Sequence, residues 1–359
     1  MTGRAAGARG WMLVTQGAAA AGAGVDEALL GWCARLASLA SPVLAGYLLA
    51  EASAALGTAL VEKAAVERSR LFHRFRHEQQ RRWAGEIAAA GIETVYLKGF
   101  ANGQTLYPDP VLRAQGDLDL LVRAHDLDRL VAMLAGHGFR FVDPTRHRWG
   151  MISDASFLPL VSADGTCDID IHVHPDCYPA HLSLTTERVF GAARAVDAGG
   201  LAIRVPSAEH TMALCATNAA KDKLDLFALR KAIDAAAMLR SGPALDWEEI
   251  ARLARDGRWL KPARAFFCLL GRLGAPLEAV PAALRSAPRG PAGPAFERVV
   301  ADFRALFPTQ PAMVELLWRE LTFCAEPAVA LHNAGLRLRG LVRRHPGVPA
   351  GAEALMRAH

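Results

Sequence analysis

Asp117-Leu118-Asp119 opens the apolar run DLDLLV, and Asp168-Ile169-Asp170-Ile171-His172 sits inside the run CDIDIHV. Strand side chains alternate faces, so Asp117 and Asp119 project together while Leu118 and Leu120 enter the core. By the same period Asp168, Asp170 and His172 share one face, and Ile169, Ile171 and Val173 the other. Adjacent carboxylates repel and are costly to desolvate, so a core has little use for them. A divalent cation relieves the repulsion, and oxygen ligands of this kind suit magnesium bound together with phosphates. A sheet that brings the two strands together gives the carboxylate cluster that two-metal phosphoryl or nucleotidyl transfer requires. In that arrangement Asp117 and Asp119 bind or bridge the ions. Asp170 completes the metal site near an acceptor hydroxyl and takes its proton.

The first pair needs support from the stretch before it. Thr94–Leu97 reads as a short strand ending in Lys98-Gly99, followed by a turn-rich loop with Tyr107-Pro108-Asp109-Pro110. Gly99 permits close backbone approach to a phosphate, and Lys98 supplies a positive point charge, unless it only snorkels from a strand end. Arg113 has two readings: direct contact with phosphate, or a buried salt bridge that positions the aspartates. His172 orients Asp170 or touches substrate, and Asp168 is its neighbour on the same face. Lys221, with Lys223, lies in a later helix as a further substrate contact.

The remaining elements frame these residues. Residues 1–25 read as a loosely ordered Ala/Gly tail; from Asp26 to Leu60 the chain reads as two helices broken near Pro42. Val61–Ala90 is a long helix with Phe72, Phe75, Trp83 and Ile87 near one face, stopped by Gly91. Its basic middle, RSRLFHRFRHEQQRRW, is a solvated face or a wall that attracts polyphosphate or nucleic acid. After a strand at Leu118–Val122 comes a helix, His125–Gly136, and strands at Phe139–Val142, Phe157–Val161, Cys167–Val173 and Leu201–Val205. Asp164-Gly165 is a hairpin signal. Ser207 caps a long helix from Ala208 to Leu239, Asp246 has capping-box spacing, and helices continue to the end. The domain reading is a tail at 1–25, N-terminal helices at 26–90, a sheet core at 91–206 and a helical region at 207–359.

A chain of 359 residues with 52% hydrophobic and 21% charged residues is not disordered as a whole. The net charge of +5 suits anionic ligands without arguing for nucleic acid. Six scattered cysteines with no CxxC pair read as reduced thiols, hence a cytoplasmic protein. The apolar stretch around Leu36–Ala50 is too short and too interrupted to cross a membrane. There is no GxSxG elbow and no P-loop. Cys167, His172, His174 and Cys177 imitate a zinc site, but strand geometry turns Cys167 away from His172.

The segments LKG, YPDPVLRAQGDLDLLV and DIDIHVHP together resemble an uncharacterised nucleotidyltransferase family of the DNA polymerase β-like superfamily. The resemblance covers about Gly91 to Leu239 and continues weakly through the Ser207 helix to Asp234. It implies an α+β fold: a small mixed β-sheet nucleotidyltransferase core flanked by N-terminal helices and a C-terminal helical region. It also implies Mg²⁺ (or Mn²⁺) held by Asp117, Asp119 and Asp170, with an NTP as donor. Lys98-Gly99 stands where better-studied members have Gly-Ser, and Asn218 where relatives often have histidine. The expected activity is transfer of an NMP from the NTP to a hydroxyl acceptor on a small molecule, peptide, protein or RNA end. The other reading is a non-catalytic nucleotide-binding sensor or partner subunit that keeps the fold.

Overall fold

In the computed structural model the described residues are 43–45, 62–114, 116–141, 156, 159–272, 275–288, 290, 292–301 and 312–342. The tail, most of the stretch from Asp26 to Leu60 with its break near Pro42, Phe157 at the start of its strand, and Val142 lie outside them.

The basic stretch is helical. Helix α1, Lys63–Ala89, contains no proline, has one glycine (Gly85), and stops at Gly91, whose φ of +67° is the left-handed conformation glycine tolerates. Its buried face runs through His73, His77, Gln80, Trp83, Ala84 and Ile87, spaced as a helical stripe requires. Phe72 and Phe75, expected on that face, are exposed. Phe72 is one position before His73 and Phe75 is two from both His73 and His77, so neither falls on the stripe, which the imidazoles and Gln80 occupy instead. Part of the basic face turns inward: Arg76 reaches Asp168 at 2.6 Å and the Gly116 carbonyl at 3.1 Å.

The sheet is mixed, in the order β1 (Val95–Tyr96), β2 (Leu118–Leu121), β5 (Asp168–His172), β4 (Leu160–Val161), β3 (Arg140–Phe141). β2 and β5 are parallel neighbours with Asp119 opposite Asp170 and Leu121 opposite His172; the other pairings are antiparallel. Helix α2 (Lys98–Leu106) follows β1, and α3 (Leu127–Gly136) lies on the crossover from β2. The Asp164-Gly165 turn joins β4 to β5, with Gly165 at φ +70° and Asp164 accepting from Ser162 and Thr166. Leu118, Leu120, Ile169 and Ile171 pack with Trp83 and Ile87 of α1 and Leu130 and Leu134 of α3. Each such side chain contributes about 1.5–3 kcal/mol on full burial. Leu121 and Leu97, on the carboxylate face, join the core of the later helices.

After the short helix α4 (Thr186–Gly191) comes a two-stranded ribbon, β6 (Arg194–Asp197) and β7 (Ala202–Val205), turned by Gly199 and Gly200 at positive φ. From there the chain is helical. The single helix expected from Ala208 to Leu239 is two: α5 (Ala208–Lys221) and α6 (Leu226–Ser241). Lys223 and Leu224 adopt φ near +55°, and Asp225 accepts from the Phe227 amide to start α6. KDKLD has no proline or glycine to announce this break; the local capping aspartate makes it. Ser207 and Asp246 cap α5 and α7 (Trp247–Asp256) as their spacing predicts. Helices α8 (Leu260–Arg272), α9 (Ala282–Arg285), α10 (Ala292–Ala301), α11 (Met313–Arg319) and α12 (Pro327–Val342) complete the described chain. Among the described residues no helix is long and apolar enough to cross a membrane.

Candidate active site

β1 ends at the site because its next residue is bonded to β2: the Leu97 amide donates to the Asp119 carbonyl at 2.9 Å. Lys98 then takes φ +48°, a left-handed conformation that costs a non-glycine residue about 1–3 kcal/mol and persists only where its surroundings impose it. The expected loop after Lys98-Gly99 is helix α2. Asn102-Gly103 has turn chemistry, but burial of Phe100 and Ala101 and the bond from Asn102 to Asp234 override it. Lys98 and Gly99 therefore open a helix instead of closing a strand.

The Lys98 Nζ donates to Asp119 Oδ1 at 2.5 Å and lies 3.2 Å from His172 Nε2. His172 Nε2 is 2.9 Å from Asp119 Oδ1 and 3.2 Å from Asp170 Oδ2, so two carboxylates assign it the proton. Asp119 is buried; burial alone would raise its pKa, but Lys98 and His172 hold it well below the carboxylate range. Burial pulls Lys98 down, and Asp119, Asp170 and Asp117 more than restore it. Burial and Lys98 pull His172 down, and Asp170 and Asp119 lift it above its ordinary value.

Asp117 lies just outside β2 and is exposed. The neighbouring Asp119 charge, and after it the protein crowded around an otherwise solvent-facing carboxyl, push its pKa up to about 6 against the pull of Lys98. The unfolded chain releases that proton near pH 4, so between about pH 4 and the raised value the folded state binds more protons and stability falls as pH rises. In metal-free buffer Asp117→Asn is thus expected to melt above the parent protein at pH 7 and level with it below pH 4. A variant melting at or below the parent at pH 7 in a fluorimetric scan would refute the repulsion.

Asp119, Asp170 and His172 each offer a ligand atom, all within 4.8 Å of one another. Asp170 Oδ1 is buried and has no hydrogen-bond partner, an orphaned acceptor of the kind a cation satisfies. With Asp117 at the rim, the donors are mostly carboxylate oxygens, which fits magnesium or manganese. Cys167 is in the core, where burial pushes its thiol up to about 12, and it faces away from this cluster.

The remaining expected residues sit around the cluster. Asp168 is ion-paired to Arg76 of α1, and the same guanidinium and Gln80 hold the Gly116 carbonyl just before Asp117. Arg113 is buried with its guanidinium on Asp234, Nε at 2.8 Å from Oδ1 and Nη2 at 2.9 Å from Oδ2. Of its two readings, the buried bridge is the one with contacts. Asn102 and Tyr107 also donate to Asp234. Lys221 is 3.6 Å from Asp176, a buried carboxylate that also accepts from the Cys177 amide and Asn218. Burial raises Asp176, but Lys221 and hydrogen bonds from Thr217 and Cys177 bring it below the usual range. This pair stands at a second cleft of about 430 Å³, whose wall includes Tyr178 and Trp259. Sequence reasoning singled out neither Asp176 nor Asn102; Asp176 follows His174-Pro175 just beyond β5, outside any periodic run.

Residues 43–274 match the model of a family described as uncharacterised nucleotidyltransferase. The chain belongs to that family. No curated protein and no solved structure matches it. The nucleotidyltransferase match extends beyond Gly91–Leu239 at both ends, so it also takes in α1, which clamps the Gly116 carbonyl, and helices α7 and α8.

Proposed function

We propose that the protein is a metal-dependent nucleotidyltransferase that moves an NMP from an NTP to a hydroxyl acceptor. The observation that carries this reading is the parallel register setting Asp119 beside Asp170, with Asp117 two residues away, in a chain of this family. Asp117, Asp119 and Asp170 would hold magnesium or manganese. The ions, when bound, would offset charge developing on the phosphoryl group and its attacking and leaving oxygens. Asp170, with one oxygen unpartnered, takes the acceptor proton, while His172 fixes its other oxygen. Lys98 balances the carboxylates in the resting site and would turn to phosphate with the ions bound. Gly99 and Arg113 complete the nucleotide side, Arg113 by fixing Asp234 of α6, to which Asn102 of α2 is also bonded. Lys221 and the second cleft serve the acceptor.

The test is transfer of α-phosphate label from each of the four NTPs into a lysate used as acceptor pool, with Mg²⁺ or Mn²⁺. Label is expected in an acceptor with the parent protein and absent with Asp117→Ala/Asp119→Ala. No incorporation, or equal incorporation by that variant, would sink the proposal. One observation favours a second reading, a nucleotide sensor: the Lys98 ammonium already neutralises Asp119. Calorimetry that finds NTP bound with Mg²⁺ but never turned over would support the sensor.

A further inference from the structure

We propose that Arg230 is the guanidinium that grips the phosphate chain of the donor nucleotide, an inference that rests on the nucleotidyltransferase reading. Arg230 lies on α6 one turn before Asp234, so the two share a helix face. That face is fixed against α2 and Arg113, because Asp234 receives Arg113, Asn102 and Tyr107. Arg230 is half-buried, yet among the described residues its guanidinium makes no hydrogen bond or ion pair. Its neighbours are committed: Arg113 to Asp234, Arg76 to Asp168, and the adjacent Lys231 to Asp222 at 2.6 Å. Arg230 is within electrostatic reach of Asp117, Arg113 and Asp234. Burial and then Arg113 lower its pKa, with Asp117 and Asp234 opposing.

A half-buried cation without a partner is costly to hold. The cost is understandable where an anion arrives, and the planar fork matches phosphate oxygens two at a time. Asp117 is itself exposed and its charge reaches Arg230, so a polyphosphate bound at the rim of the carboxylates would come within reach of this guanidinium. Arg113, expected from the sequence to share this task, has its donors on Asp234 and on the Ala114 carbonyl. Arg230 supplies the free fork in its place.

The test is calorimetry in Mg²⁺ buffer on the full chain, with inorganic tripolyphosphate, the NTPs and the matching nucleosides as probes. Parent, Arg230→Gln, Arg230→Lys and, as a charge control, the exposed Arg194→Gln are compared. Losing a charge-assisted contact predicts about tenfold weaker tripolyphosphate and NTP binding for Arg230→Gln, with partial recovery in Arg230→Lys. Nucleoside affinity is expected to stay constant, and ligand-free Arg230→Gln to melt no lower than the parent. If the parent binds both probes and Arg230→Gln weakens no more than Arg194→Gln, the inference is overturned and the nucleotidyltransferase reading stands. If tripolyphosphate binds through Arg230 but no NTP does, the phosphate site stands and the donor reading falls. If the parent binds neither, both fall.

Discussion

Asp119→Asn is expected to lower nucleotidyl transfer by about 10²–10³-fold or more, the loss that follows removal of one preorganised charge from a transition-state site. Asp119 is where every cation of the cluster converges: Lys98 at 2.5 Å, His172 at 2.9 Å, with Asp170 in register across the strand pair. The amide keeps the shape and removes the charge. It also takes the nearest carboxylate from a mostly buried ammonium and leaves His172 with Asp170 alone. Losing one partner of a fully buried pair costs about 3–5 kcal/mol, and Asp170 and Asp117 offset part of it. The Lys98 side chain keeps 22% of its exposure, so solvent offsets part of that loss. The sign with pH follows from the depressed carboxyl: its contribution is complete above the unfolded pKa and disappears as pH falls through the lower folded value. Asp119→Asn therefore flattens the acid side of the stability profile. Lys98→Met/Asp119→Asn separates the two effects, recovering much of the unfolding midpoint in guanidinium while transfer stays lost. A single variant that transfers label at the parent rate would remove Asp119 from the mechanism.

The strand pair was readable because alternation fixes faces without help from the rest of the fold. DLDLLV and CDIDIHV each state which side chains point together, and the structure brings Asp119, Asp170 and His172 within reach of one another. The family match agrees with the LKG and D-x-D segments that resemble it. What the sequence hid are features in which distant contacts outvote local chemistry. Asn102-Gly103 reads as a turn, but Asn102 is held in helix α2 by Asp234, 132 positions away. The break between α5 and α6 rests on Lys223 and Leu224 at positive φ, conformations that no residue type there announces. Arg76 looked like one more charge on a basic helix, and its pairing with Asp168 depends on how α1 lies against β5. Arg113 could be assigned two roles and no more, because a spacing names a residue's neighbourhood and says nothing of which partner is nearer.

Asp234→Ala is expected to cost about 3–5 kcal/mol, the penalty for stripping one partner from a buried ion pair. Arg113 is 7% exposed and Asp234 1%, so solvent cannot replace what is lost. Burial would pull Arg113 down, but Asp234 holds its pKa above even the ordinary guanidinium value. Asn102 and Tyr107 lose their acceptor in the same step, releasing α2 from α6 near Lys98. Arg113→Lys cannot restore the two-point grip and is expected to be nearly as damaging. The informative variant is Arg113→Met/Asp234→Leu, since well-packed apolar pairs often match a buried bridge in stability. If Arg113 only positions the site, this double variant recovers both the urea midpoint and the KM for the NTP. If Arg113 also touches phosphate, the midpoint recovers while KM rises. Asp234→Ala unfolding at the parent's urea concentration would show that α2 is held by its apolar contacts alone.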